Sequence, residues 1–204
     1  MNFKKICFKL SCCALLAASQ LASADLSGKV HFETALTNVE TVPFVDKPEF
    51  SGFAKARLVY SSSGWALKYY IMTNMDANAG WATTPDLSDD ITKIHLHENP
   101  PGIAGPHVLN VFKAPAQDDD DLKVESTMGN FSGQWDSNDT NDDGLAEGPA
   151  TEPFDDDFLA TLCDDDIYVN IHGSDELGVP DTGALRGNLM PIKWGERLCR
   201  KLLD

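Results

Sequence analysis

Apolar and polar residues alternate along most of the chain from Gly28 onward, and turn-forming residues interrupt the alternation at short intervals. A period of two residues is typical of β-strands whose two faces meet different surroundings. Helical spacing of apolar residues appears only over 158–163 and 194–203. The pattern predicts strands over residues 29–37, 53–60, 65–72, 91–97, 108–112, 122–128, 167–172 and 184–192.

This arrangement predicts the fold class. Because no helices alternate with the strands, we expect an all-β protein with a single antiparallel β-sandwich or Greek-key barrel over residues 25–192. A tail over residues 193–204 follows and carries a short C-terminal helix, with its basic side in solvent.

The first 24 residues have the pattern of a secretory signal peptide. Lysines precede a short apolar stretch, and the small residues at 22–24 form a signal-peptidase site, so the mature chain is expected to begin at Asp25 and to be secreted or periplasmic. The alternatives are a lipoprotein anchor at Cys12 or Cys13 and an uncleaved membrane anchor. The apolar stretch is shorter than the roughly 20 residues that span a bilayer, and we expect no membrane association after cleavage.

Two cysteines, Cys163 and Cys199, remain after removal of the signal peptide. In an oxidising compartment a single pair most simply forms one disulfide, which would tie the C-terminal tail to the β domain. Two buried thiols are the alternative.

Acidic residues outnumber basic residues by 32 to 16, which gives a formal net charge of −16. Such a surface repels phosphate backbones and anionic lipid headgroups, so nucleic acids are not expected as partners. The acid is concentrated between Asp118 and Asp166, where Lys123 is the one basic residue. The middle of this region, residues 136–157, is too polar for a strand and is expected to form a long exposed acidic loop.

The acidic loop contains a calcium-like motif. Asp139, Asn141 and Asp143 have the spacing of the first three oxygen ligands of a calcium loop, and a glycine follows them. The carbonyl of Leu145 and the carboxylate of Glu147 are candidates to complete the site. The twelfth position is an alanine, so an EF-hand is not expected, and a solvated loop without an ion is the alternative.

The other aspartate runs have no ligand spacing of their own. Those at 118–121 and 164–166 are expected to be solvated or to lie at helix ends. The run at 155–157 suits an N-cap and first helical turn, where carboxylates interact favourably with the helix dipole.

Four of the five histidines lie on or beside predicted strands. Alternation in the strand at 91–97 puts Ile94 and Leu96 on the core face, so His95 and His97 are expected to point outward from the sheet. The strand at 167–172 alternates in the same way and ends in another outward histidine. A further histidine follows the turn at 100–106 and is placed to fold back over the first pair.

These four histidines predict a metal site on the protein surface. Neutral imidazoles bind zinc and copper, and imidazoles without thiolates or carboxylates favour copper. The alternative is that each ring makes an ordinary surface hydrogen bond. The predicted copper ligands are His95, His97, His107 and His172.

The sequence resembles the CHRD domain, a module named from chordin that also occurs in secreted bacterial proteins. The resemblance covers nearly the whole mature chain and implies an all-β fold. It rests on four motifs in order: IHLH at 94–97, PGIAGP at 101–106, YVNIH at 168–172 and GALRGNL at 183–189.

The same residues more distantly resemble the Cu/Zn superoxide dismutase sandwich. By motif order, that resemblance implies copper ligands at the four histidines and an active-site arginine at Arg186. The loop between His97 and His107 is too short to supply the two extra zinc histidines, so a copper-only site fits better. The acidic surface opposes attraction of the superoxide anion.

Three functions follow as hypotheses. The first is a secreted CHRD protein that binds a metal ion, for which the ligand chemistry favours copper. The second is a non-catalytic extracellular interaction module with structural histidines, a calcium-binding acidic loop and an unidentified protein partner. The third is a copper-only, superoxide-dismutase-like oxidoreductase in which Arg186 is catalytic.

Overall fold

The alternating segments form β-strands in the computed structural model, which describes residues 27–46, 49–77, 90–112, 118–125, 129–140, 151–173, 183–192 and 194–203. The predicted signal peptide, residues 1–24, lies outside the described residues. The strands are β1 (His31–Leu36), β2 (Gly52–Ser61), β3 (Gly64–Thr73), β4 (Ile91–Glu98), β5 (His107–Phe112), β6 (Lys123–Glu125), β7 (Asn130–Trp135), β8 (Ile167–Gly173), β9 (Leu185–Asn188) and β10 (Met190–Pro191).

The strands form two antiparallel sheets. The first has the order β10-β1-β2-β3-β7-β6, and the second has the order β5-β4-β8-β9. One buried apolar cluster includes residues of both sheets, among them Phe32, Ile71 and Phe131 from the first and Ile94 and Ile171 from the second. The fold is therefore an all-β sandwich, as the alternation predicts.

The strand predictions omit one strand and merge two others. They do not include β7, because Ser132 and Gly133 interrupt its apolar alternation. The segment 184–192 was predicted as one strand but divides into β9 and β10, which belong to different sheets. The chain crosses from one sheet to the other between β9 and β10. The alternation of apolar and polar residues continues through the crossing, so it gives no sign of the division.

Two short helices accompany the sheets, α1 (Asp156–Cys163) and α2 (Gly195–Leu203). The prediction of an N-cap at the 155–157 run is confirmed, because the Asp155 carboxylate accepts hydrogen bonds from the backbone N–H groups of residues 157 and 158. The predicted disulfide between Cys163 and Cys199 is confirmed as well, and it joins α1 to α2. Arg197 and Lys201 on α2 are exposed, as expected for its basic side. Within the described ranges, neither helix has the length or the apolar character needed to cross a bilayer.

Candidate metal centre

The histidine cluster is built on the face of the four-stranded sheet that lies opposite the core. Ile94 and Leu96 of β4 belong to the core, so the alternate residues His95 and His97 project to the other face. Directly opposed residues in an antiparallel pair share one face. His97 is opposed by His107 on β5 and by Tyr168 on β8, which brings side chains from three strands together.

Irregular pairing between β4 and β5 places His107 in this group. The register shifts between Leu96 and His97, where Val108 has no partner on β4. Residues 107 and 110 would point to opposite faces of a regular strand, but the shift lets His107 oppose His97 while Asn110 opposes His95. The expectation that His107 folds back over the first pair is confirmed, and its ring centroid lies 3.9 Å from that of His95 and 4.2 Å from that of His97.

The prediction of an outward, surface-exposed cluster is wrong. The exposed fraction is 0% for His95, 5% for His97 and 4% for His172. The turn that precedes β5 and the side chains of β8 and β9 cover this face, since the Gly105 N–H donates to the Tyr168 hydroxyl at 2.9 Å. The four-stranded sheet is consequently buried on both faces where the histidines lie.

Three of the imidazoles converge. One ring nitrogen from each of His95, His97 and His172 lies within 4.8 Å of those of the other two, so these residues form a group that can hold a metal ion. The His95 ring centroid is 5.6 Å from that of His97 and 5.1 Å from that of His172. His107 contacts the group from β5 without belonging to this set of three.

Most of the ring nitrogens in the cluster have no hydrogen-bond partner. Both nitrogens of His95 are buried and unpartnered, as are Nε2 of His97, Nδ1 of His107 and Nδ1 of His172. His97 Nδ1 donates to the Gly105 carbonyl at 3.0 Å, which fixes its tautomer and leaves a lone pair on Nε2. Buried polar atoms are normally satisfied, so this concentration of unpartnered nitrogens sets the cluster apart as a candidate ligand-binding group.

The imidazoles are neutral at physiological pH. Burial lowers the pKa of His97 to about 3 and that of His172 to about 3. Burial, together with the three neighbouring rings, also lowers the pKa of His95, and burial lowers the pKa of His107. Neutral rings are the form that binds metals.

Arg186 covers one side of the cluster. Its guanidinium lies over the Tyr168 ring at 3.6 Å from the centroid, and that ring stacks on His97 at an interplanar angle of 11°. Arg186 is 2% exposed and donates to the Pro100 carbonyl at 3.1 Å, while its Nε has no partner. The position predicted for a site arginine is therefore beside the histidines.

A cavity of about 220 Å³ opens onto this site. It reaches His97, His107 and His172, and Arg186 forms part of its wall. Gly183 also lines it, where an added Cβ would lie 1.7 Å from the Asn170 side-chain oxygen. The absence of a side chain at 183 thus allows Asn170 to approach His172, whose Nε2 it contacts at 3.0 Å.

Four of the five residues of the predicted calcium site lie outside the described residues. They are Asn141, Asp143, Leu145 and Glu147. Asp139 is described and is 0% exposed, with its carboxylate accepting from the backbone N–H groups of Asp136 and Asp120.

The expectation of an exposed loop over 136–157 is confirmed in part. Residues 137, 138, 152, 153 and 155–157 are exposed, whereas Asp139, Thr151 and Phe154 are buried. The Trp135 indole donates to the Glu152 carbonyl at 2.7 Å, which holds the returning segment against the sandwich.

A second group of ligating side chains was not predicted. Carboxylate oxygens of Asp119, Asp120 and Asp139 lie within 4.8 Å of one another. The run at 118–121 was expected to be solvated, but Asp119 is 1% exposed and accepts a hydrogen bond from the buried Tyr69 hydroxyl. Burial raises the pKa of Asp119 to about 8 and that of Asp139 to about 7. No sequence signal connects positions 69 and 119, because they are fifty residues apart.

The fold and the site define a two-sheet β-sandwich with a buried histidine cluster on the outer face of its smaller sheet. The family model for the CHRD domain matches residues 32–189 of the chain. The chain belongs to the CHRD domain family, which confirms the resemblance seen in its motifs. No curated protein matches the chain, and no solved structure does. Membership of this family, together with the disulfide, indicates an extracellular interaction module.

Proposed function

We propose that this CHRD domain protein binds one copper ion through His95, His97 and His172, with His107 adjacent to the ion. The observation that carries the proposal is the convergence of three buried imidazoles whose ring nitrogens have no hydrogen-bond partner. A buried, unsatisfied donor or acceptor costs about 1–3 kcal/mol, so several in one place are a lasting cost to the metal-free protein. A bound ion would remove that cost.

The partners around the rings support the assignment of ligand atoms. The Gly105 carbonyl accepts from Nδ1 of His97, an arrangement that metal-ligating histidines commonly use to orient the ring. Asn170 Nδ2 lies 3.0 Å from Nε2 of His172, so this contact occupies Nε2, and Nδ1 is the ring nitrogen without a partner. In both rings a neighbouring group holds one nitrogen, and the opposite nitrogen is the candidate ligand atom.

Copper is favoured over other ions by the ligand set. The described group consists of imidazoles, without a thiolate or a carboxylate. Affinity at nitrogen sites rises toward copper among the divalent first-row metals, whereas calcium and magnesium prefer oxygen. The neutral state of the rings removes competition from protons at physiological pH.

Metal titration tests the proposal. The metal-free protein is titrated with Cu(II), and with Cu(I) under reducing conditions, and stoichiometry is measured by elemental analysis after desalting. We expect one copper per chain, with nitrogen hyperfine structure in the electron paramagnetic resonance spectrum of the Cu(II) form. His95→Gln combined with His97→Gln should weaken binding by about 100-fold or more, as expected for the loss of ligands.

The matched control is His31→Gln, which removes an exposed histidine outside the cluster. Its copper affinity should equal that of the wild type. Equal affinity in the double variant and in the control would overturn the proposal, because copper would then be bound elsewhere.

We propose further that the protein works outside the cytoplasm after removal of residues 1–24. The disulfide is consistent with an oxidising compartment. Mass spectrometry of the protein recovered from medium and periplasm should find Asp25 at its N-terminus. Recovery of the intact chain with Met1 would contradict cleavage.

A second candidate function is the dismutation of superoxide by the copper-loaded protein. The observation that favours it is the buried guanidinium of Arg186 in the wall of a cavity that reaches three of the histidines. One superoxide ion would be oxidised to oxygen and the next reduced, with two protons, to hydrogen peroxide. Loss of activity in Arg186→Gln with copper retained would support this function, and a copper-loaded wild type without activity would exclude it.

A further inference from the structure

The outer face of the six-stranded sheet carries a concentration of basic residues in a predominantly acidic protein. Lys55, Arg57, Lys68 and Lys123 line one open groove of about 430 Å³, here called the basic groove. The strand register explains the grouping, since Arg57 is opposed by Lys68 across β2 and β3. Lys123 reaches the same groove from β6, where it is opposed by Ser132 of β7.

The basic groove has an excess of positive charge. Its four cations are all exposed, and Asp121 is the one carboxylate among the lining residues. Glu33 lies beside the groove on β1, opposite Lys55. Like charges directly opposed across strands destabilise a sheet, so the pair Arg57 and Lys68 has a cost that a bound anion would offset.

The remaining lining residues suit a sugar more than a simple ion. Tyr70 is 38% exposed and is opposed by Lys55 on β2 and by Ser132 on β7. Its ring offers an apolar face, while the Ser132 hydroxyl and the Gln134 side-chain oxygen offer hydrogen-bonding groups beside it. The Gln134 amide nitrogen already donates to the Asp136 carboxylate at 2.6 Å. A groove of this volume is in the range that encloses a small organic ligand or a few sugar units.

The charge of the rest of the molecule limits the length of the ligand. The chain has a net charge of −16, and electrostatic repulsion acts over a screening length of about 8–10 Å at physiological salt. A long polyanion would leave the groove and meet this negative surface. A short acidic ligand would remain within the positive region.

We propose that the basic groove binds a short acidic oligosaccharide, whose carboxylates contact Arg57, Lys55, Lys68 and Lys123 and whose sugar ring stacks on Tyr70. The groove lies on the outer face of the other sheet from the histidine cluster, so this binding is independent of copper. An extracellular location would give the groove access to such sugars.

Calorimetric titration of the mature protein with tetragalacturonate tests this inference. Binding is expected, with an affinity that falls about tenfold or more between 50 and 500 mM salt because the contacts are charge pairs. The fully methyl-esterified tetrasaccharide has the same rings without the charges, and it should bind at least about tenfold more weakly. Binding of the ester as tightly as the acid would overturn the role of the cations.

Two double variants separate the basic groove from general electrostatics. Arg57→Gln with Lys68→Gln should weaken binding by about tenfold or more through loss of charge-assisted hydrogen bonds. Arg200→Gln with Lys201→Gln removes the same charge from exposed positions on α2 and should leave binding unchanged. Equal losses in the two double variants would overturn the proposal, as would failure of tetragalacturonate to bind the wild type.

Three further measurements test the sugar and the charges separately. Tyr70→Ala should lower the affinity for tetragalacturonate. Tetra-aspartate should bind more weakly than the sugar, and tighter binding of this peptide would show that the ligand is an acidic protein segment. Arg57→Lys with Lys68→Arg retains both charges and should retain binding. The same titration on the His95→Gln and His97→Gln variant should give wild-type affinity, whatever the outcome for copper.

Discussion

At the residue scale, the main feature is a set of buried imidazoles whose ring nitrogens have no hydrogen-bond partner. His95 illustrates it, since both of its ring nitrogens are buried without a hydrogen-bond partner. Residues selected for stability alone would not leave such groups unpaired, because an apolar side chain of similar volume fills the space without that penalty. The cost is accounted for if the ring serves ligand binding.

Replacing His95 by leucine should therefore stabilise the metal-free protein while it weakens copper binding. We expect His95→Leu to raise the free energy of unfolding by about 1–3 kcal/mol, because two unsatisfied nitrogens are removed. Urea unfolding of metal-free samples measures this change. The control His31→Leu should stay within about 0.5 kcal/mol of the wild type, as exposed substitutions usually do. A strongly destabilised His95→Leu protein would show that the ring has a packing role.

Gly133 provides a second prediction at the residue scale. A Cβ at this position would lie 2.4 Å from the Asp119 carboxylate and 2.5 Å from the Tyr69 hydroxyl. Gly133→Ala should lower the free energy of unfolding by about 1–3 kcal/mol, since overpacking forces these buried groups apart. Chemical denaturation measures the loss, with Ser132→Ala on the same strand as the control. Wild-type stability in Gly133→Ala would mean that β7 can shift to make room.

At the scale of the elements, the site depends on pairing that the apolar pattern does not encode. The register shift in β5 brings His107 to the histidine face, and the division of the 184–192 segment puts Arg186 on the sheet that carries the cluster. The alternation in β4 and β8 was enough to predict that His95, His97 and His172 share a face. The prediction of Arg186 as a site residue came from the distant resemblance to the Cu/Zn superoxide dismutase sandwich, whereas its stacking on Tyr168 required the structure.

The disulfide between α1 and α2 gives the prediction at this scale. Cys163 and Cys199 are 36 residues apart, and closing a loop of this size stabilises a protein by roughly 3–4 kcal/mol through the entropy of the unfolded chain. The variant with both cysteines changed to serine should lose about that free energy of unfolding relative to the oxidised wild type. Wild type in the presence of a reductant should behave like this variant in urea unfolding. Equal stability with and without reductant would contradict the prediction.

At the scale of the whole molecule, two buried clusters of opposite chemistry make stability depend on pH in opposite directions. The folded pKa of His97 and His172 is about 3, below the unfolded value of about 6.5. Their contribution is therefore complete above pH 6.5 and is lost as the pH falls toward 3. Burial raises the folded pKa of Asp119 to about 8 and that of Asp139 to about 7. Their contribution is complete below the ordinary aspartate pKa and is lost as the pH rises to about 8.

The metal-free protein should consequently be most stable near pH 6, with stability decreasing on both sides. Urea unfolding between pH 4 and pH 9 in the presence of a chelator measures the profile. Asp119→Asn should flatten the decrease above about pH 6.5, because it removes one of the two groups that take up protons on folding there. Ser62→Ala, a substitution of an exposed residue that does not titrate, is the control and should leave the profile unchanged. A stability that rises steadily from pH 6 to pH 9 would contradict the assignment of buried, protonated aspartates.

The sequence alone determined the elements and the chemistry available to the protein. The period of two residues, the N-cap at Asp155, the pairing of Cys163 with Cys199 and the common face of His95 and His97 are local or composition-based signals, so they can be read from the chain. The tertiary structure decided which faces are covered. It buried a histidine face that alternation alone assigned to solvent, and it joined Asp119 to Tyr69. The physical reason is that the outer face of a sheet is exposed or buried according to which distant loops and side chains pack over it, and strand periodicity carries no information about those contacts.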